Sequence, residues 1–378
     1  MSTASAISDA HAQRLLTAAR GGDEGAYRDL VESHRRELHA HCYRMLGSVH
    51  DAEDALQDAM LRAWKGLERF EGRSSPRSWL YKIATNTCLD EIAKRPKRVL
   101  PMDYGPATEA HVGAGQPLVE SVWVEPYPDE QLGIGAGASA PAARYEQRES
   151  LELAFIAALQ HLPASQRAVL IMREVLGFSA KEVADTLETS VASVNSALQR
   201  ARATIDAKLP AQSQQATLRT LGDDELRAVV ERYMDAMQAG DVERVVAMLS
   251  EDATWSMPPL ASWFGPGLEQ VRVFLEGGPM SGEWRWRHVP TRANGQLAVG
   301  CYTWDGEQGR FLPFCIDVLT LGEHDEQGRP RIAGVTAFIT RSIDLPDEES
   351  FLRFPDHTAQ HGPSIALFER FGLPLTLD

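Results

Sequence analysis

Asp51-Ala-Glu-Asp-Ala-Leu-Gln-Asp-Ala-Met-Leu-Arg-Ala-Trp64 is the stretch on which the reading of this chain turns. Leu56, Met60, Ala63 and Leu67 recur at i, i+4, i+7 and i+11, the period of a helix with one buried stripe. Asp51, Asp54, Asp58 and Arg62 fall on a different face at the same spacing. On charge alone that face reads as solvated surface.

The next segment changes the balance. Ser75 can cap and Pro76 can open a helix, which then reads Trp79-Leu-Tyr-Lys-Ile-Ala-Thr-Asn-Thr-Cys-Leu-Asp90 and runs into Lys94-Arg95-Pro96-Lys97-Arg98. Aromatics, an Asn and cations are the side chains that stack on unpaired bases, bond base edges and hold phosphates. Acidic helix and basic-aromatic helix together resemble region 2 of the extracytoplasmic-function sigma factors, small members of the sigma-70 family. The resemblance rests on Asp51, Ala52, Glu53, Asp54, Gln57, Asp58, Arg62 and Trp64, then Trp79, Leu80, Ile83, Ala84, Asn86 and Asp90. It implies that Asp51, Asp54, Gln57, Asp58 and Arg62 grip the coiled coil of the β′ subunit of core RNA polymerase. It also implies that the loop Phe70–Ser75 pockets a base flipped from the −10 element. Arg73, Arg77, Trp79, Lys82, Asn86, Lys94, Arg95, Lys97 and Arg98 would hold the opened strand.

Further on, Leu162-Pro-Ala-Ser-Gln-Arg-Ala-Val-Leu-Ile-Met-Arg-Glu-Val-Leu-Gly177 reads as one helix opened by Pro163 and stopped by Gly177. Ser179 and Glu182 form a capping box for a helix over 181–187. A turn at Glu188–Ser190 leads into a helix over 191–208, which is helix-turn-helix spacing. The order Leu-Pro-x-x-Gln-Arg, Arg-Glu-x-x-Gly-x-Ser-x-x-Glu-Val-Ala and Gln-Arg-Ala-Arg resembles sigma region 4. That implies a reader of the −35 element and a contact to the flap of the β subunit. Ser193, Asn195, Ser196 and Gln199 are the base-edge candidates; Arg200 and Arg202 suit phosphates. The chain departs from many relatives in having Ser190 at the turn and Asn195 where a Lys is common.

Composition bounds the rest. A length of 378 residues predicts two to three domains, and 43% hydrophobic with 24% charged residues is ordinary for a globular protein. No apolar run approaches the roughly 18 residues that a membrane span needs. The polar N-terminus lacks the order of a secretory signal, so a cytoplasmic location without membrane contact is expected. The formal charge of −15 is unevenly spread. Residues 1–100 hold 16 basic and 14 acidic side chains, and residues 147–212 hold seven of each. Residues 101–146 hold one basic against seven acidic, and residues 213–378 hold 14 against 25. A nucleic-acid surface must therefore lie in the first or third block.

The expected organisation is a helical bundle over 14–98, an acidic Pro/Gly linker over 99–146, a helix-turn-helix domain over 147–209, a second short linker over 210–217 and a further domain over 218–378. Within the linker, Val122-Trp123-Val124-Glu125-Pro126-Tyr127-Pro128 is apolar enough to dock on something. Cys42, Cys88, Cys301 and Cys315 form no thiolate pair at metal or disulfide spacing. His34, His39 and His41 lack a third ligand at suitable spacing. No metal and no cofactor is expected.

The last block reads helix (223–239), helix (242–249), strand, helix, then strands near 283–290, 296–304, 311–321 and 331–340 in a curved antiparallel sheet. Asp252-Ala-Thr-Trp-Ser-Met-Pro-Pro, Trp263-Phe-Gly-Pro-Gly and Phe371-Gly-Leu-Pro resemble the SnoaL-like branch of the NTF2-like fold, an α+β cone with an internal pocket. Asp252, His288, Tyr302 and Asp317 are its polar pocket candidates, and Trp255, Met257, Trp263 and Trp286 the apolar ones. They show no matched catalytic pair at a diagnostic spacing. The fold class expected is therefore multidomain, two all-α sigma domains followed by an α+β cone. The expected function is that of a non-catalytic alternative sigma factor, regulated in cis by the last domain and open to a small-molecule ligand there. The alternative is a DNA-binding regulator fused to a small hydrolase or isomerase.

Overall fold

The computed structural model describes residues 3–72, 74–109, 122–132, 147–340 and 366–378, with side chains from residue 11 onward. Arg73 and the remainder of the expected linker lie outside these. The described residues form two compact units. One takes in the chain up to Arg98 together with Ala154–Leu209; the other takes in Val99–Glu130, 147–153 and Pro210–Asp378.

The first unit is helical. Helix α1 (Thr3–Arg20) is followed by α2 (Glu24–Leu46), whose Asp23 cap accepts the Ala26 N–H at 2.9 Å. Helix α2 stops at Gly47, in the left-handed region at φ 72°. A Cβ there would lie 3.1 Å from Gln160, so glycine is needed twice over. Ser48 then caps α3 (Val49–Gly66), which buries Ala52, Ala55, Leu56, Ala59 and Ala63. Ser75 and Pro76 start α4 (Pro76–Ile92), as their types predict. Leu16, Leu30, Leu67 and Phe70 pack one core among these helices.

Beyond the linker come α5 (Leu153–Gln160) and α6 (Ala164–Leu170), which runs on as a π-helical turn over Ile171–Val175. The helix expected over 163–177 is thus widened in its last turn, and Gly177 ends it at φ 73°. Helix α7 (Ala180–Thr186) carries the full Ser179–Glu182 capping box. Helix α8 (Val191–Asp206) follows with its cap at Ser190, burying Val194, Leu198, Ala201 and Ile205. Arg167 staples this unit from within. It is 5% exposed and donates to Gln160 Oε1 at 2.6 Å and to the Gln160 and Leu162 carbonyls at 3.2 Å.

The second unit is α+β. Helices α9 (Gln214–Arg219), α10 (Asp223–Ala239) and α11 (Val242–Met248) precede β1 (Leu249–Ser256), β2 (Trp263–Phe264) and α12 (Leu268–Gly277). Strands β3 (Trp286–Ala293), β4 (Gln296–Asp305), β5 (Arg310–His324) and β6 (Pro330–Ile339) follow, and α13 (Ala366–Arg370) comes last. The sheet order is β2-β1-β6-β5-β4-β3. The sheet expected to be antiparallel is mixed: β1 and β6 run parallel, with Trp255 opposite Val335. The chain leaves β1, builds three other long strands, and returns beside it. Tyr233, Trp255, Phe274, Val299 and Leu319 belong to the core under the helices. The other face is covered by the C-terminal segment, since a Cβ on Gly300 would lie 2.7 Å from Leu373.

Two stretches expected to be tethers are built into this unit. Val99 N–H bonds the Val122 carbonyl at 2.8 Å and Val124 N–H bonds Val99 at 3.1 Å. Val122–Tyr127 are buried, so the apolar run docks as its composition predicted. Its dock is the β3–β4 turn, where Asn294 stands at φ 55°. Asn294 accepts the Tyr127 N–H at 2.8 Å on Oδ1 and gives Nδ2 to the Leu151 carbonyl at 2.7 Å. The stretch 210–217 also departs from expectation. It enters α9 with Gln214 and Gln215 buried, and Glu152 accepts both their N–H groups, at 3.0 and 2.6 Å. Desolvation by burial pushes Glu152 up to about 7.

Candidate nucleic-acid interface

Helix α3 separates its acids into two populations. Asp54 and Gln57 are exposed and Asp58 half-exposed, on the face opposite Leu56. Gln57 Nε2 donates to Glu53 at 3.3 Å. Arg62 is held at 2.9 Å by Asp58 and at 2.6 Å by Asp90 of α4. Those hydrogen bonds, Asp90's first, raise its pKa further. Asp51 corrects the expectation of a third outward acid. It is 3% exposed and ion-paired with Arg95 and with Arg98, whose Nε lies 3.2 Å from Oδ2. Arg98 is itself 5% exposed. Both residues face inward, and the pair ties α3 to the end of the basic cluster. Lys94, Arg95 and Lys97 remain at the surface.

On α4, Trp79 is half-buried and its ring lies 4.8 Å from that of Phe70. Asn86 is half-buried as well. Arg77 sits over two rings, with its guanidinium carbon 4.9 Å from the centroids of Tyr81 and Phe178. Lys82 Nζ donates to the Asp185 carbonyl at 3.1 Å and lies 3.4 Å from Glu188. Ser78 Oγ is 3.5 Å from Glu182. Of the expected strand-binding side chains of α4, Lys82 thus meets α7 and the turn after it and Arg77 meets Phe178 just before α7, within one compact unit. The three nearby histidines have separate partners. His34 bonds Glu37 at 2.5 Å, His39 is 3.6 Å from Glu53, and His41 bonds Thr85 at 2.9 Å.

On α8, Asn195, Ser196, Gln199 and Arg200 are exposed. Ser193 is exposed too, but its hydroxyl lies 2.9 Å from that of the capping Ser190. Arg202 is occupied, with Nε 2.5 Å from Glu174. Sequence reasoning passed over Val191, which is 42% exposed at the start of this helix. Its spacing of four from Asn195 was the available signal.

The eight pocket candidates of the second unit do not converge. Trp255, Met257 and Trp286 belong to the core, and Trp286 Nε1 bonds the Pro279 carbonyl at 2.7 Å. Asp317 is buried and pushed up by desolvation. It accepts Tyr233 OH at 2.7 Å and Cys315 Sγ at 3.2 Å. Cys301, Cys315 and Asp317 hold their ligand-type atoms within 4.8 Å of one another. Burial pushes His288 down to about 3, and both ring nitrogens lie buried without a hydrogen bond beside Trp286. Three candidates lie elsewhere. Asp252 is exposed and accepts Ser250 Oγ at 2.8 Å. Trp263 Nε1 donates to the Gly105 carbonyl at 3.0 Å. Tyr302 OH donates to the Pro374 carbonyl at 2.8 Å on the sheet's other face.

A capped acidic helix crossing a basic-aromatic one, a helix-turn-helix and a mixed-sheet domain together define a sigma-type initiation factor. The sequence matches the family models for sigma-70 region 2 over residues 30–98, sigma-70 region 4 over 152–205 and the SnoaL-like domain over 230–341. It is 39% identical over 332 residues to the ECF RNA polymerase sigma factor SigG of Mycobacterium tuberculosis, covering 87% of this chain and 85% of that one. It is 28% identical to SigW of Bacillus subtilis, over 50% of this chain and 92% of that one. The crystal structure of SigJ of Mycobacterium tuberculosis shares the fold, with a TM-score of 0.51 and 23% identity, over 82% of this chain and 95% of that one. The chain belongs to the extracytoplasmic-function sigma factors. It is an alternative sigma factor that directs transcription initiation, and its partners are RNA polymerase and promoter DNA. Among the described residues no helix is long and apolar enough to cross a membrane.

Proposed function

We propose that Asp54, Gln57, Asp58 and Arg62 form the grip on the β′ coiled coil, while Asp51 and Arg98 hold α3 and the basic cluster in register. Arg73, Arg77, Trp79, Lys82, Asn86, Lys94, Arg95 and Lys97 take the opened −10 strand. Asn195, Ser196 and Gln199 read the −35 element, Ser193 supports them through the cap, and Arg200 and Arg202 meet phosphates. The β flap is the contact of this same domain. Lys82 and Arg77 are occupied by α7 and Phe178, so the described arrangement is the closed, DNA-free form of the factor.

The C-terminal unit regulates these regions in cis rather than by chemistry. One observation carries this reading: the chain that joins region 2 to region 4 is bonded to that unit through Asn294, Gly295 and α9. A domain that holds the connection sets how far the two DNA-binding regions separate, and a ligand acts only by preferring one arrangement. The test is run-off transcription by core polymerase with Asn294→Gly, which keeps the left-handed turn and removes the side-chain bonds. Altered transcript yield at unchanged promoter preference supports regulation in cis. Unchanged yield, or turnover of a small substrate by the full chain, refutes it.

A further inference from the structure

We infer that Val191 reads the C5-methyl group of a thymine in the −35 element, so that this factor prefers a T beside the base pair read by Asn195. The inference rests on the proposed role of α8 and adds a specificity residue to it. Val191, Asn195, Gln199 and Arg202 follow at i, i+4, i+8 and i+11, so they form one stripe along α8. The stripe is exposed throughout, and its other members are polar or charged. Val191 occupies the first helical position and is 42% exposed, whereas Val194, Leu198, Ala201 and Ile205 fill the core side.

The helix cap does not call for a valine there. A β-branched residue is a poor helix former, and the cap is made by Ser190 and Ser193 without it. Side chains at the N-terminal turn of a recognition helix are the ones that reach base edges. Thymine alone among the four DNA bases presents a methyl group in the major groove, and an apolar side chain is its complement. Asn195, one turn on, matches adenine through its bidentate N6 and N7 edge. An adjacent T and A is therefore the step that this stripe selects.

The test uses holoenzyme assembled on core polymerase. The −35 preference is first selected from a pool of promoters randomised over that element. Each thymidine in the selected site is then replaced by deoxyuridine, which removes only the methyl group. One position is expected to lose about 3–5-fold in affinity, the scale of one buried methyl. Val191→Ala should show that loss on the thymidine site and no further loss on the deoxyuridine site. The inference is overturned if no replacement weakens binding, or if Val191→Ala leaves the deoxyuridine penalty intact. Asn195→Ala separates the two levels. If it relaxes the preference while the methyl effects are missing, Val191 alone is misassigned; if it changes nothing, the reading of α8 falls and the inference with it.

Discussion

The ammonium of Lys82 lies 3.4 Å from Glu188 and bonds the Asp185 carbonyl at 3.1 Å, so a cation of α4 is held by the helix-turn-helix. The carboxylate oxygen in that contact is Glu188 Oε1, and its side chain is 81% exposed. One exposed pair contributes about 0–1 kcal/mol, so this contact is weak enough for a competing phosphate to displace it. Glu188→Lys should raise the affinity of the free factor for single-stranded −10 DNA about 2–5-fold with an unchanged melting temperature. Fluorescence anisotropy checks this, and equal affinity would mean that α7 does not compete with DNA.

Asp51 and its neighbours on α3 should part company. Asp51→Ala leaves the buried Arg98 without its carboxylate, which costs about 3–5 kcal/mol. Asp54→Ala changes an exposed side chain and should stay within about 0.5 kcal/mol. Urea unfolding followed by the tryptophans of region 2 compares them. Equal stability of the two variants would contradict the inward role of Asp51.

Glu152 gives a pH dependence with a definite sign. Its folded pKa of about 7 lies above its ordinary value of 4.5, so the folded state holds a proton that the unfolded state releases. The associated stability is fully present below about pH 4.5 and is lost as the pH rises through about 7. Glu152→Gln does not ionise and should flatten the fall in stability of the second unit between pH 5 and 8, read as a urea midpoint. An unchanged slope would place the titration elsewhere.

Arg200 and Asn195 should fail differently. Arg200→Ala is expected to weaken all promoters alike and to lower the salt slope by about one. Asn195→Ala should relax one −35 position, at a cost of about 1–3 kcal/mol on the preferred site. A sequence-selective loss from Arg200→Ala, in competition binding across promoter variants, would exchange their roles.

Most of the local architecture was legible because its causes are local. The period of Leu56, Ala63 and Leu67, the Ser75–Pro76 start and the Ser179–Glu182 box are each written within a few residues. Runs rich in β-branched and aromatic residues placed β4 and β6 to within a residue at each end. The parallel partner of β1 was hidden, because it depends on where the chain returns some 80 residues later. Asp51 was misread for the same reason: its cations stand 44 and 47 residues away, and spacing on its own helix cannot report them. Pro and Gly made 99–146 look like tether, yet composition could not show that Asn294 receives Tyr127. Asp252, Trp263 and Tyr302 had suitable types for a pocket, but the sheet's two faces and edge separate them.

The grip on polymerase carries the account, and one measurement addresses it directly. Full-length chain is mixed with core RNA polymerase and promoter DNA, and holoenzyme and run-off transcript are quantified for the wild type and for Asp54→Ala/Asp58→Ala. Both acids lie off the apolar stripe, so the double variant should melt like the wild type, fail to co-purify with core polymerase, and yield no promoter-specific transcript. Wild-type co-purification and transcription by the double variant would contradict the assignment of α3 as the polymerase-binding helix.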